Sequence, residues 1–213
     1  LEMRLLWVVV GGSTLAVTFL TWLAFEGSVG DWLLKSLFEV ASLVSTTGYE
    51  TIATGSFPRV ARELFLLLMI VGGCAGSTAG GIKVIRVGIL GKFLTRDIRK
   101  LRLPPHAVQV PTIDGRTITN DAFRQTTFVL LLWLAYIAVG GLVVSLQAPS
   151  FSISEAYSTV FSSIGVFGPS FVPVKAVIAL PEMSKIIFII GMLSGRLEIL
   201  PLLVFFNPAA WRR

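Results

Sequence analysis

The chain has 213 residues, of which 54% are apolar and 14% charged, and its mean hydropathy is +0.81. That balance excludes an ordinary water-soluble domain, where about 25% of residues carry charge. One cysteine, Cys74, permits no internal disulfide, and one histidine, His106, forms no zinc cluster alone, so disulfide and metal frameworks drop out.

The formal net charge of +6 is unevenly placed. Lys83, Arg86, Lys92, Arg96, Arg99, Lys100 and Arg102 follow one apolar stretch, and Arg212 and Arg213 follow another. This is the positive-inside pattern of a membrane protein, and without interleaved aromatic residues it does not make a nucleic-acid surface. The chain enters an apolar stretch a few residues after Leu1 with no small-residue cleavage site behind it, which predicts a truncated membrane protein and not a secreted one.

In chain order, four stretches are long enough to cross about 30 Å of hydrocarbon: residues 5–25, 60–90, 123–146 and 185–206. Between the first two, residues 31–44 are amphipathic and too short to span; between the last two, residues 152–161 are shorter still. Each short segment runs into a small, hydroxyl-bearing run with glycine: Ser45-Thr46-Thr47-Gly48-Tyr49, and Ser162-Ser163-Ile164-Gly165-Val166-Phe167-Gly168. Pairing Gly48 with Gly165 also pairs Ser45 with Ser162, Thr46 with Ser163 and Ser42 with Thr159, a register of 117 residues that predicts an internal duplication. With Arg4 inside, both small runs fall outside and both basic clusters inside. In the connector, Val108-Gln109-Val110 and Arg116-Thr117-Ile118-Thr119 flank Asp114-Gly115, which predicts a short cytoplasmic β-hairpin; a linker entered through Pro104-Pro105 is the alternative.

Non-helical backbone at membrane depth exposes carbonyls that cost several kcal/mol each unless they face water or ions. Two such segments in equivalent places predict a pair of carbonyl-lined, cation-selective strands, with Gly48 and Gly165 as pivots and hydroxyls from Ser45, Thr46, Ser162 and Ser163. The negative C-terminal ends of the short helices favour a cation there. Tyr49, Glu50 and Glu155 are expected at an external mouth.

The run Gly72-Gly73-Cys74-Ala75-Gly76-Ser77-Thr78-Ala79-Gly80-Gly81 holds five glycines in ten positions. At about 1 kcal/mol each the helix should break there, leaving a loop suited to gating. Close packing of a Gly72, Gly76, Gly80 stripe is the alternative. A phosphate loop fails, since Val84 and not Ser or Thr follows Lys83 and the run continues an apolar helix. Arg196, midway along the last stretch, is a costly intramembrane charge; it is either a brake on cation passage or a strut, and Glu198 does not share its face. No Ser/His/carboxylate set, paired carboxylates or zincin motif is present, so no enzymatic activity is expected.

On the first hydroxyl-glycine run, on residues 72–83 and on Gly195-Arg196-Leu197-Glu198-Ile199-Leu200-Pro201, the chain resembles the K⁺ transporter superfamily that includes the bacterial TrkH and KtrB proteins and the plant HKT proteins. The resemblance covers the last two of that family's four span–pore-helix–span (M1-P-M2) repeats. It implies an all-α membrane fold with a K⁺-channel-like pore and a short β-hairpin: a third repeat over residues 1–90, a basic connector over 91–122 and a fourth repeat over 123–213. It implies K⁺ as the transported ion, held by the carbonyls of Thr46, Thr47, Ser163 and Ile164 in a filter that includes Tyr49 and Val166, and no organic cofactor. A gate of Gly72, Gly73, Gly76, Ser77, Thr78, Gly80, Gly81 and Lys83 with Arg196 follows from the same likeness. The implied setting is a bacterial inner membrane, multi-pass, in contact with lipid and with the N-terminal half of the same protein. A homodimer on a cytosolic nucleotide-binding ring of the TrkA/KtrA type is implied too. A non-conducting membrane scaffold and a Na⁺-coupled K⁺ symporter remain the alternative functions.

Overall fold

The computed structural model describes residues 2–102, 111–113, 116–197, 199, 201 and 204. Pro104, Pro105, His106, Val108, Gln109, Val110, Asp114, Gly115, Glu198, Leu200, Phe206, Arg212 and Arg213 lie outside the described residues.

The first arm consists of α1 (Glu2–Ala24), α2 (Val29–Ser45), a single 3-10 turn (Thr54–Ser56), α3 (Arg59–Val71) and α4 (Val84–Lys100). Strands β1 (Thr112–Ile113) and β2 (Arg116–Thr117) pair antiparallel, Thr112 opposite Thr117 and Ile113 opposite Arg116. The second arm runs through α5 (Asn120–Gln147), α6 (Ile153–Gly165), α7 (Val174–Ile178) and α8 (Glu182–Leu197). Proline sets the start of three helices: Pro58 precedes α3, Pro173 precedes α7 and Pro181 lies just ahead of α8.

Among the described residues, α1 and α5 are long and apolar enough to cross a membrane. The stretch 60–90 is not one helix. It divides into α3 and α4 around residues 72–83, and the 13 residues of α3 reach about 20 Å at 1.5 Å per residue. The last apolar stretch is helical over Glu182–Leu197.

Polar side chains fix where the short helices begin. Ser28 caps α2 by accepting from the Asp31 N–H at 3.1 Å. Ser152 and Glu155 form a capping box on α6: the Ser152 hydroxyl accepts from the Glu155 N–H at 3.4 Å, while Glu155 Oε2 accepts from the Ser152 N–H at 2.8 Å. Glu155 is therefore a helix cap. Ser152→Ala should lower stability by about 1 kcal/mol, read as a lower melting temperature of the purified protein.

Two apolar cores join the arms. In one, Val17, Val40, Phe65 and Met69 of the first arm pack with Phe167 and Phe171 of the second; in the other, Ile82 of the first arm joins Trp133, Val144, Val160 and Ile164. Midway along α4, Phe93 stacks on Phe123 with centroids 4.2 Å apart, and the Arg96 guanidinium lies 4.2 Å from the centre of the Phe93 ring. Such a stack adds about 0.5–1.5 kcal/mol to the burial of its rings. The outward faces of α1 and α5 stay apolar, with Trp7, Leu15, Leu131 and Leu142 exposed, as suits helices covered by lipid or by further protein.

Candidate functional site

The ends of α2 and α6 are built alike. At α2, Thr46 adopts φ 56°, ψ 32°; its N–H bonds to the Leu43 carbonyl at 3.1 Å, and the Thr47 N–H bonds to the Ser42 carbonyl at 2.9 Å. At α6, Val166 adopts φ 57°, ψ 39°; its N–H bonds to the Ser163 carbonyl at 3.3 Å, and the Phe167 N–H bonds to the Ser162 carbonyl at 3.1 Å. Each is a Schellman motif with a β-branched residue in the left-handed position, where such residues are rarely found. Two residues beyond each cap comes a glycine with positive φ, Gly48 at 80° and Gly168 at 92°.

The backbone register between the arms is therefore 120 residues, three more than the 117 of the sequence pairing. Thr46, Thr47 and Gly48 correspond to Val166, Phe167 and Gly168. Ser162, Ser163, Ile164 and Gly165 are the last turn of α6, and Gly165 is not among the positive-φ glycines. The Ser163 carbonyl already accepts the Val166 N–H, and the Ile164 carbonyl lies against Gly195. These two carbonyls belong to the helix end, and the strand that follows it begins at Val166.

The glycine turns touch each other. Gly48 lies against the Phe167 carbonyl, and the position of its missing Cβ is 3.5 Å from Pro169 Cδ. A side chain there would collide with the carbonyl, so close approach and positive φ both require glycine. Beside this contact is a cavity of about 390 Å³ whose lining includes Thr46, Thr47, Thr159, Ser162, Val166 and Gly168, and among the described residues no charged side chain lines it. Both helices thus bring their negative C-terminal ends to one uncharged, hydroxyl-bordered space. The hydroxyl hydrogens point elsewhere: Ser45 donates to the Ala41 carbonyl at 2.6 Å, Ser163 to Val160 at 2.8 Å and Thr159 to Ala156 at 2.7 Å. The Tyr49 side chain is exposed while its carbonyl accepts from the Ser42 hydroxyl at 2.7 Å. The Glu50 carboxylate accepts from the Thr54 N–H at 3.0 Å and from the Thr54 hydroxyl, a local turn contact.

Residues 72–83 form a loop with a narrow neck. Gly72 (φ 66°) and Gly81 (φ 80°) lie back to back, and a Cβ on Gly81 would come within 2.8 Å of the Gly72 Cα. The Ile82 N–H bonds to the Ile70 carbonyl and the Val84 N–H to the Gly73 carbonyl, both at 3.0 Å. Lys83 carries a positive φ of 75° at the start of α4. The loop sits at the ends of both short helices: Gly73 lies near the Val44 carbonyl and Gly80 against the Gly165 carbonyl. Within it, the Ser77 N–H and hydroxyl both bond to the Cys74 carbonyl, at 3.2 and 2.7 Å. Two side chains from elsewhere hold it. Arg196 Nη1 donates to the Thr78 carbonyl at 2.6 Å, and Glu2 Oε1 accepts from the Ala75 N–H at 2.5 Å.

The structure thus brings together Thr46, Thr47, Gly48, Gly72, Gly73, Thr78, Gly80 and Arg196. It leaves Ser45 and Ser163 turned into their helices and the Tyr49 side chain outside. The sequence reading missed Gly168, although the Gly168-Pro169 pair is a turn signal, and it missed the hold of Glu2 on the loop. No group of three or more His, Cys, Asp or Glu side chains suited to a metal ion occurs among the described residues.

The sequence profile of TrkH, described as a cation transport protein, matches residues 13–212. The chain belongs to the TrkH family. It is 30% identical over 219 residues to the Trk system potassium uptake protein TrkH of Halomonas elongata, covering all of this chain and 44% of that protein. It is 31% identical over 185 residues to the Trk system potassium uptake protein TrkI of the same organism, covering 85% of this chain and 37% of that one. The crystal structure of the potassium transporter TrkH from Vibrio parahaemolyticus aligns with a TM-score of 0.83 at 27% identity, over 99% of this chain and 45% of that one. The chain spans less than half the length of these relatives. The matching family is described as a cation transport protein, and these relatives are named as potassium uptake proteins.

Proposed function

We propose that this chain supplies half of the pore of a potassium-uptake subunit in a bacterial inner membrane. The observation that carries the reading is the convergence of two Schellman-capped helix ends and Gly168 on one cavity, with Gly48 seated against the Phe167 carbonyl that borders it. Main-chain oxygens at Thr46, Thr47, Val166 and Phe167 replace part of the hydration shell of K⁺, and the α2 and α6 dipoles favour the cation. Residues 1–90 and 123–213 act as two of four M1-P-M2 repeats, and the other two come from the N-terminal half of the complete protein. Residues 72–83 are the gate, held by Arg196 on the inner side of the filter. The basic connector faces the cytosol, where a nucleotide-binding ring engages a homodimer of complete subunits. The relatives named as potassium uptake proteins support this reading.

The test uses the complete gene. Purified protein in proteoliposomes should pass ⁸⁶Rb⁺ along its gradient, and the gene should restore growth of an uptake-deficient host at low K⁺. A protein that reaches the membrane yet passes no ion in either assay would be the non-conducting scaffold.

A further inference from the structure

The residue third after each positive-φ glycine, Thr51 in one arm and Phe171 in the other, gives its backbone N–H to a side chain of the short helix behind it. The Thr51 N–H bonds to Glu39 Oε1 at 2.7 Å, and the Phe171 N–H bonds to the Ser158 hydroxyl at 3.1 Å. The two anchors differ in strength. Glu39 Oε1 also accepts from the Thr51 hydroxyl at 2.9 Å and from the Ile52 N–H at 3.4 Å, whereas Ser158 takes the single N–H and donates to the Glu155 carbonyl. At the 120-residue register Glu39 corresponds to Thr159, whose hydroxyl turns back into its own helix.

Glu39 is 1% exposed and sits beside Val40 and Leu43, which are equally buried. An acidic side chain in such a place costs several kcal/mol unless donors compensate it, and three donors from the adjacent residues Thr51 and Ile52 do so here. The same oxygen fixes Thr51 and Ile52, while the Ser42 hydroxyl fixes the Tyr49 carbonyl two residues earlier. Between them these contacts leave the chain following Gly48 little freedom.

We infer that Glu39 is a positioning residue of the pore, which locks the strand after Gly48 through Thr51 and Ile52 and so sets ion discrimination more firmly in this arm than Ser158 does in the other. The inference rests on the reading of Gly48 as a filter glycine. A filter separates ions by the number and placement of its oxygens, so a strand freed on one side loosens the choice of ion before it stops the flow.

The experiment measures K⁺ over Na⁺ preference by competition with ⁸⁶Rb⁺ uptake in the complete protein, at matched amounts in the membrane. Glu39→Gln keeps an acceptor oxygen and should hold the preference within about twofold, whereas Glu39→Ala removes all three bonds and should lower it at least about fivefold. Ser158→Ala, with one bond at stake, should cost about twofold or less. An unchanged preference in Glu39→Ala, or an equal loss in Glu39→Gln, overturns the inference. Should Glu39→Ala not accumulate, Thr51→Val deletes one donor at constant volume; a loss of about twofold supports the anchor and no loss overturns it. Gly48→Ser is measured alongside. If it alters the preference while Glu39→Ala does not, the anchor falls and the filter stands; if Gly48→Ser changes nothing, the filter reading itself falls.

Discussion

Replacing Arg196 with alanine is expected to raise ⁸⁶Rb⁺ flux through the complete protein about tenfold under conditions that hold the pathway shut. The reason is a single bond with a long reach in sequence. Arg196 Nη1 holds the Thr78 carbonyl at 2.6 Å, near the middle of the loop whose two ends lie against the Val44 and Gly165 carbonyls. A charge-assisted bond of this kind contributes about 1.5 kcal/mol at the weak end of its range, close to a factor of ten in a two-state balance. The cation itself adds to the effect, because a fixed positive charge beside a cation path raises the barrier to passage. Arg196→Lys keeps the charge without the planar donor fork, and it should fall between wild type and alanine. Labelling of Cys74, at the near end of the loop, gives a second readout: in a background without other cysteines, a membrane-impermeant maleimide should react faster in Arg196→Ala. Flux and labelling both unchanged would reduce Arg196 to a strut.

The second large effect is expected at Gly168. Gly168→Ala should abolish most of the preference for K⁺ over Na⁺, at least about tenfold, with little loss of folded protein. Its φ of 92° lies where residues with a Cβ are strained by about 1–3 kcal/mol, yet among the described residues none beyond its own chain neighbours lies within 4 Å of where that Cβ would sit. The strain must therefore be relieved by turning the Gly168 peptide, which moves the neighbouring Phe167 carbonyl. Gly165→Ala should act differently, since its added methyl would run into the Phe167 ring at the end of α6; the expected result is loss of folded protein, read by size-exclusion chromatography. If Gly168→Ala kept wild-type discrimination, the strand beginning at Val166 would have no part in the filter.

The contrast between those two glycines shows how far sequence reasoning reached. The two short helices were legible as segments 31–44 and 152–161, too short to span, although the second runs on to Gly165 through residues expected in the non-helical run; the break after Val71 was legible from its glycine density. The register was not. Hydroxyls at Ser45, Thr46, Ser162 and Ser163 suggested a pairing by composition, while the backbone pairs the arms by hydrogen bonds at Ser42 and Ser162. A left-handed cap on threonine in one arm and valine in the other leaves no compositional mark, because both residues ordinarily avoid that conformation. The cap made by Glu155 went unread, although Ser152 three residues before it is a capping-box signature. Glu39 offered a fainter signal, an acid on the same helical stripe as Ser36, Val40 and Leu43, and its partners across the turn became visible only with the fold.

The neck at Gly72 and Gly81 has a mechanical meaning. Because the chain leaves α3 and rejoins α4 at residues lying side by side, with the Ile70 and Gly73 carbonyls clasping the return, residues 73–80 hang from the bundle like a flap on a single hinge. Swinging that flap aside requires no sliding of α3 past α4 and no disturbance of the cores that unite the two arms. For the gate proposed at residues 72–83, opening then means breaking the Arg196–Thr78 and Glu2–Ala75 bonds and lifting Gly73 and Gly80 from the ends of α2 and α6.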